Sequence, residues 1–283
     1  MKVLVIGAAG YIGSAVAAAL VRHGHEVTAL QRTQPGDGFP YAVRLGDATD
    51  PATLRAAITD DIDAVINLAQ HSGDQAVDEA ATAVLLDALR GKALVSTSGV
   101  WVLGETGREA ATEDAPTHAP AIVSYRPVIE RQILTAEGVR GVVLRPGIVY
   151  GDGGGIPGLF VDLARKHGAG RYVGTPATRW AMVHLDDLAE LYALAVESAP
   201  AGTLLHGVDE EAVSTVALAA AADVAAGGTG KADFWPQAEA AGALGKPFAD
   251  ALALDQAVSS AKTRELFGWT PSGRSAVATI AAG

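Results

Sequence analysis

The sequence predicts an α/β protein: a doubly wound parallel sheet with a smaller, mostly helical C-terminal lobe. Three observations carry this. Short apolar runs alternate with Ala-rich helical stretches through residue 150. The runs are continuous rather than alternating, as in parallel strands covered on both faces. A glycine turn joins the first run to the first helix, and beyond residue 150 the strand signals thin out while helical ones persist.

Taken in order, residues 2–6 read as a strand, Gly7-Ala8-Ala9-Gly10-Tyr11-Ile12-Gly13 as the turn, and 14–22 as a helix. Residues 26–30 are a second strand, ending in Gln31-Arg32, and 33–40 a loop rich in Pro and Gly. Residues 42–45 form a third short strand. A helix over 51–59 follows, with Asp50 as cap and Pro51 at its first position. Residues 63–68 and 93–97 are strands flanking a helix over 74–89. Another helix lies within 120–136, with Ser124 as its cap, and 141–145 is the sixth strand. Beyond these come a glycine loop at 151–155, helices over 159–167 and 186–197, and a last strand over 203–208. Helices over 216–226 and 259–267 complete the pattern.

Strand, glycine turn, helix and strand in that order are the context of a dinucleotide-binding turn. Gly7 permits the tight exit, Gly10 lets backbone approach a pyrophosphate, and Gly13 lets the helix pack closely. The pyrophosphate would rest on the N–H groups and dipole of the helix N-terminus, which includes Tyr11 and Ile12. An NAD-specific site places a carboxylate at the end of the second strand. Gln31, Arg32 and Thr33 offer none, and Arg32 suits a 2′-phosphate, so the expected cofactor is NADP(H) rather than NAD(H).

Composition narrows the class. Hydrophobic residues make up 49%, enough for a full core, and the formal charge of −11 argues against a nucleic-acid or anionic-membrane surface. Zero Cys removes disulfides, thiol catalysis and thiolate ligands, and the seven His show no ligand spacing, so no metal site is expected. The first apolar run is too short for a signal peptide, and no run reaches transmembrane length, so the expected compartment is the cytoplasm.

The G-x-x-G-x-x-G spacing resembles the turn of extended and atypical short-chain dehydrogenase/reductases, the NAD(P)-dependent epimerase/dehydratase-like proteins with a Rossmann domain. Later residues extend the resemblance. Asp47 and Ala48, in Leu-Gly-Asp-Ala-Thr-Asp, match the family's acidic element beside the adenine. Leu68-Ala69-Gln70 follows the fourth strand, where relatives line the ribose and pyrophosphate. Leu144-Arg-Pro-Gly-Ile-Val-Tyr-Gly151 matches L-R-P-x-x-V-Y-G, which implies that Pro146, Gly147 and Ile148 lie along the nicotinamide. Met182-Val-His-Leu-Asp-Asp187-Leu-Ala matches an element that implies a structural role for His184, and Leu266-Phe-Gly-Trp-Thr-Pro271 matches the family's ending.

The resemblance also implies the catalytic pair. Ser98 falls at the family's active-site hydroxyl, where it would hydrogen-bond the substrate oxygen. Tyr125 falls at the proton-exchanging Tyr, whose pKa relatives lower with a Lys four residues on, one helical turn away. Here that position is Ile129. Arg126 and Arg131 do not share its face, although Arg126 could curl towards the site from the first turn. Oxidising an alcohol needs Tyr as a base and therefore a depressed pKa; reducing a carbonyl or imine needs Tyr only as a proton donor.

The expected function is NADPH-dependent reduction of a small carbonyl or imine compound, with hydride from the nicotinamide, Tyr125 as proton donor and Ser98 orienting the acceptor. The alternative favoured by Ile129 is an NADP(H)-binding protein without redox turnover, a sensor or a non-redox isomerase or cyclase. A nucleotide-sugar epimerase or dehydratase ranks third. Residues 1–150, joined by 177–208, make the expected NADP-binding domain; 151–176 and 209–283 make the substrate lobe. Trp101, Arg126, Tyr150, Arg179 and Trp180 are its candidate substrate contacts, with Phe234 and Trp235 beside them. The partner is a small-molecule substrate, and the family's habit is a homodimer.

Overall fold

The computed structural model describes residues 1–69 and 72–283. Along the chain run β1 (Lys2–Ile6), α1 (Tyr11–Arg22), β2 (Glu26–Gln31), β3 (Ala42–Leu45), α2 (Pro51–Ala57), β4 (Ala64–Asn67), α3 (Gln75–Ala88) and β5 (Ala93–Thr97). Then come α4 (Arg126–Leu134), β6 (Arg140–Pro146), β7 (Ile148–Tyr150), α5 (Gly155–His167), β8 (Gly170–Tyr172), β9 (Arg179–His184), α6 (Leu185–Ser198) and β10 (Thr203–Gly207). The remainder is β11 (Glu210–Ser214), α7 (Thr215–Ala225), β12 (Ala232–Phe234), α8 (Gln237–Leu244), α9 (Lys246–Leu252), α10 (Ala261–Phe267) and α11 (Ala276–Ala282).

Seven strands make one sheet in the order β10-β6-β5-β4-β1-β2-β3. The pairs from β6 through to β3 are parallel. The chain winds outward from β1 through β2 to β3, then returns to the other side of β1 for β4, β5 and β6. The order therefore reverses between β1 and β4, and the crevice beyond the carboxyl ends of those strands is where open α/β sheets bind ligands. The doubly wound sheet follows the sequence reading, including the return of β10 to its edge.

Local chemistry sets the boundaries. Asp50 caps α2 by accepting from Ala52 N at 2.9 Å, with Pro51 at the first helical position. Asp74 caps α3 by accepting from Ala76 N at 2.9 Å. Gly168 closes α5 in the left-handed conformation.

The chain divides into two compact units. Unit 1 comprises Met1–Ser98, Tyr125–Leu144 and Ala189–Leu205. Its core joins Leu4 and Ile6 of β1, Val65 of β4, Leu85 of α3 and Leu89 at its C-terminal cap, and Ile129 and Ile133 of α4. Unit 2 comprises Gly99–Ser124, Arg145–Leu188 and His206–Gly283. Besides its helices it holds a three-stranded sheet, β11-β9-β7, and a parallel pair, β12-β8, short strands that the sequence reading left out. Its core gathers Tyr150, Phe160, Trp180, Met182, Trp235 and Leu252. A buried clasp closes it: the Asp187 carboxylate accepts from Ser272 N at 2.9 Å and Gly273 N at 3.0 Å, while Trp269 Nε1 donates to the Asp187 carbonyl.

Candidate active site

The glycine turn is built at backbone distance. Gly7 has φ of +89° and exits β1 beside Leu68, whose carbonyl would lie 3.0 Å from a Cβ at that position. Gly10 N donates to Gly7 O at 2.9 Å, and Ser14 N to Gly10 O at 2.9 Å. A Cβ on Gly13 would stand 1.9 Å from the Gly7 carbonyl, so no side chain fits there. The turn thus joins Gly7, Gly10, Tyr11, Ile12, Gly13, Leu68 and Ala69 at the β1/β4 reversal. No side chain caps α1 at Gly10, and its first turn carries no acid. An uncapped helix N-terminus behind a turn that excludes side chains fits a pyrophosphate.

Gly13→Ala is expected to cost about 1–3 kcal/mol or more through overpacking. A lowered Tm together with weakened nucleotide binding would be the readout. An unchanged Tm would show that the turn has room that its geometry denies.

At the end of β2, Arg32 is exposed and Gln31 carries a buried Nε2 with no hydrogen-bond partner. Sequence reasoning noted Gln31 only for lacking a carboxylate; a buried unspent amide at this place makes it a further candidate for the nucleotide's ribose or phosphate. Asp47 accepts from Thr49 N at 2.9 Å and Thr49 Oγ1 at 2.8 Å, and these bonds, with the nearby Arg32 charge, hold its carboxyl below the usual range. Ala48 borders a cavity of about 40 Å³ with Asn67, Ala69, Asp78, Ser96 and Ile129. Gln70 lies outside the described residues.

Ser124 does not cap α4. A short 3-10 turn, Ala121–Val123, runs into it, and Tyr125 itself occupies the cap position without a side-chain cap bond. From there the Tyr125 hydroxyl donates to Asp78 Oδ2 at 2.7 Å and accepts from Gly73 N at 3.1 Å. Burial, then the hydrogen bond and charge of Asp78, raise the phenol's pKa above its ordinary value. One turn on, Ile129 is 4% exposed and packed in the apolar core. Sequence reasoning missed Asp78, which reads there as one more acid on the helix over 74–89.

Ser98 follows β5 and is 8% exposed; its N–H donates to Leu144 O at 2.8 Å. Its Oγ is buried without a hydrogen-bond partner, whereas the neighbouring Thr97 hydroxyl bonds Asn67 O at 2.8 Å and Tyr192 Oη at 2.6 Å. Arg126 turns inward as the sequence allowed: its Nη1 lies 3.4 Å from the Ser98 carbonyl, and its Nε is buried without a partner. Unit 1 therefore holds Ser98, Tyr125, Arg126 and Asp78 at the carboxyl end of its sheet.

Unit 2 holds the other candidates. Gly147 N donates to Gly207 O at 2.9 Å, and a Cβ on Gly147 would stand 2.7 Å from Ala181 O, so strand β9 requires glycine there. Pro146 and Ile148 beside it are buried. Trp101 meets Phe248 edge to face, centroids 5.9 Å apart, and its Nε1 is buried without a partner. Tyr150 and Trp180 are core residues. The Tyr150 hydroxyl lies 2.9 Å from both Asp209 Oδ2 and Arg274 O, and Trp180 Nε1 donates to Leu252 O at 3.2 Å. Arg179 is engaged as well, pairing through Nε and Nη2 with Asp255 at 2.9 and 2.7 Å. An aromatic beside a strand end fits core and cleft equally in sequence, and burial separates them.

Among the described residues, no group of three or more His, Asp or Glu is placed to hold a metal ion. No described helix is long and apolar enough to cross a membrane.

Residues 3–204 match the sequence model of the NAD dependent epimerase/dehydratase family. The chain is 30% identical to the uncharacterized protein C2A9.02 of Schizosaccharomyces pombe, over 96% of this chain and 95% of that one. It is also 30% identical to a 3-diazoavenalumate denitrifying reductase of a Streptomyces species, over 75% of this chain and 77% of that one. Among solved structures, the human epimerase family protein SDR39U1, determined with NADPH, shares the fold with a TM-score of 0.76 at 24% identity, covering 100% of this chain and 98% of that one. The order of the glycine turn, Ser98 and Tyr125 along a sheet wound in this way has its explanation in descent: the chain belongs to the NAD dependent epimerase/dehydratase family.

Proposed function

We propose that the chain binds NADP(H) and reduces a small carbonyl or imine compound, with Tyr125 supplying the proton and Ser98 orienting the acceptor. The observation that carries this reading is the Tyr125 environment. Relatives place a cation one turn after the tyrosine; here Ile129 is apolar and Asp78 Oδ2 accepts a hydrogen bond from the phenol at 2.7 Å. Burial and that carboxylate keep the hydroxyl protonated at neutral pH. A protonated phenol can give its proton to an alkoxide, a far stronger base, but cannot take one from an alcohol. Bound NADPH would supply the hydride; the chain's own part is to hold, polarise and protonate the acceptor.

Arg32, exposed where NAD-specific relatives carry a carboxylate, supports the 2′-phosphate, as does the NADPH in the human SDR39U1 structure. The Streptomyces relative's name as a reductase supports the direction. Fluorescence titration should give tighter binding of NADPH than of NADH. Arg32→Ala should weaken NADPH about 10-fold or more and leave NADH unchanged, as expected for loss of a charge-assisted phosphate contact. Equal NADPH affinity in the variant would move the preference elsewhere.

A carbonyl and imine turnover screen completes the test. Tyr125-dependent oxidation of NADPH supports the reductase. Tight binding with no turnover across the panel supports the alternative, an NADP(H)-binding protein without redox chemistry, which the commitment of the Tyr125 proton to Asp78 also favours.

A further inference from the structure

The Tyr125 hydroxyl has one proton, and it points at Asp78. The first hydrogen bond to an acceptor oxygen must therefore come from elsewhere in the site. Besides Gln31 Nε2 at the end of β2, two buried donors of unit 1 have unspent hydrogens: Ser98 Oγ and Arg126 Nε, neither of which has a hydrogen-bond partner. The side chains belong together. Arg126 Nη1 reaches Ser98 itself, 3.4 Å from its carbonyl, and both residues border one small cavity of about 10 Å³ with Ser96, Ile129 and Glu130. A cavity of that size admits about one oxygen atom. Buried polar groups in proteins are nearly always bonded, and a pair of orphaned donors beside a one-atom cavity marks a place kept for an acceptor.

We infer that Ser98 and Arg126 form an oxygen subsite, in which Arg126 is a further catalytic residue that touches the substrate's carbonyl oxygen. This rests on the reductase reading and deepens it: the substrate class is one whose reacting group presents a carbonyl oxygen, in preference to an imine nitrogen. Two donor-bearing residues that border one cavity fit an oxygen with two lone pairs. As negative charge develops on that oxygen, a guanidinium that stays protonated stabilises it without giving up a proton. The neighbouring charges agree with this role. Burial lowers the pKa of the guanidinium, and Tyr125 and the carboxylates of Glu130 and Asp78 act on it through space in the opposite direction, towards the charged form. The arginine thus brings into the site the positive charge that Ile129 does not.

The test has a binding arm and a kinetic arm. Acetate serves as the non-reacting anionic oxygen, titrated calorimetrically into the full chain saturated with NADP+. It should bind wild type, and Arg126→Gln and Ser98→Ala should each weaken it about tenfold or more, with NADPH affinity and Tm within error of wild type. Arg126→Lys, which keeps the charge and loses the fork, should fall between. In turnover, Arg126→Gln should lower kcat for the best carbonyl substrate by about 10²–10³, the usual loss on removing one donor to a developing oxyanion. Added guanidinium should partly rescue Arg126→Ala, which a purely structural arginine would not show.

Acetate affinity and kcat unchanged in Arg126→Gln would overturn the subsite while leaving the reductase standing. Arg126-dependent acetate binding without turnover of any carbonyl would sustain the subsite and overturn the reductase. Faster turnover of imines than of matched carbonyls would overturn the substrate class.

Discussion

Asp78→Asn is expected to lower the pKa of the Tyr125 phenol, and combining it with Ile129→Lys should raise alcohol oxidation by about 10²-fold or more. The first change removes a carboxylate that accepts the phenol's hydrogen bond and repels its anion, leaving burial as the remaining upward push. The second puts an ammonium one helical turn from Tyr125, on the same face. Ile129 is buried, so an isolated lysine would be costly there. The adjoining cavity of about 40 Å³, bordered by Asn67 and Ser96, gives the ammonium room and oxygen partners. Ultraviolet difference titration, with Tyr125→Phe to assign the signal, reads the phenol; kcat/KM for alcohol oxidation reads the chemistry. If the tyrosine titrates alike in wild type and both variants, Asp78 has no hold on it and the one-way character of the site has another cause.

A loss of about 3 kcal/mol between pH 6.5 and 4 is the second large expectation, and it concerns a buried histidine of unit 2. His206 is fully buried in unit 2, with Nδ1 3.1 Å from the Ser259 carbonyl, Nε2 unpartnered and Arg145 nearby. Burial first, and then the Arg145 charge, push its pKa down to about 4 from 6.5. Because the folded value lies below the unfolded one, the unfolded chain takes up the proton first as pH falls. The stability is complete above pH 6.5 and disappears as pH drops through to about 4. Urea unfolding of wild type and His206→Gln across this range measures it: the wild-type curve should fall more steeply by about that amount. Parallel curves would mean that His206 reaches solvent or an acceptor when it charges.

The nucleotide half was legible because its signals are local. A continuous apolar run, three glycines and a helix lie within the first 22 residues, and the steric need for Gly13 is fixed by a neighbour six residues away. The missing lysine was legible by counting four residues from Tyr125. Asp78 was not, because 47 residues separate it from Tyr125 and only the packing of α3 against α4 brings them together. An acid on an amphipathic helix reads as a solvated face. Strands β7, β9 and β11 escaped for a related reason. Each is three to six residues long and takes its pairing from partners distant in the chain, and no position of β11 is fully buried. Tyr150 and Trp180 look like cleft residues until β7 and β9 pair and turn them into the core of unit 2.

The Asp187 clasp bears on how the protein is made. Its carboxylate is satisfied by backbone groups 85 and 86 residues downstream. Until the ribosome has added that length, α6 begins with an acid that cannot be buried without an uncompensated charge. During translation, then, the start of α6 has to stay wet, and the core around it closes only when the Trp269–Gly273 stretch emerges and lies across it. The start of the helix leaves the ribosome 85 residues before the groups that satisfy its acid, and a stalled chain lacking that stretch would present an open, apolar seam to chaperones and proteases.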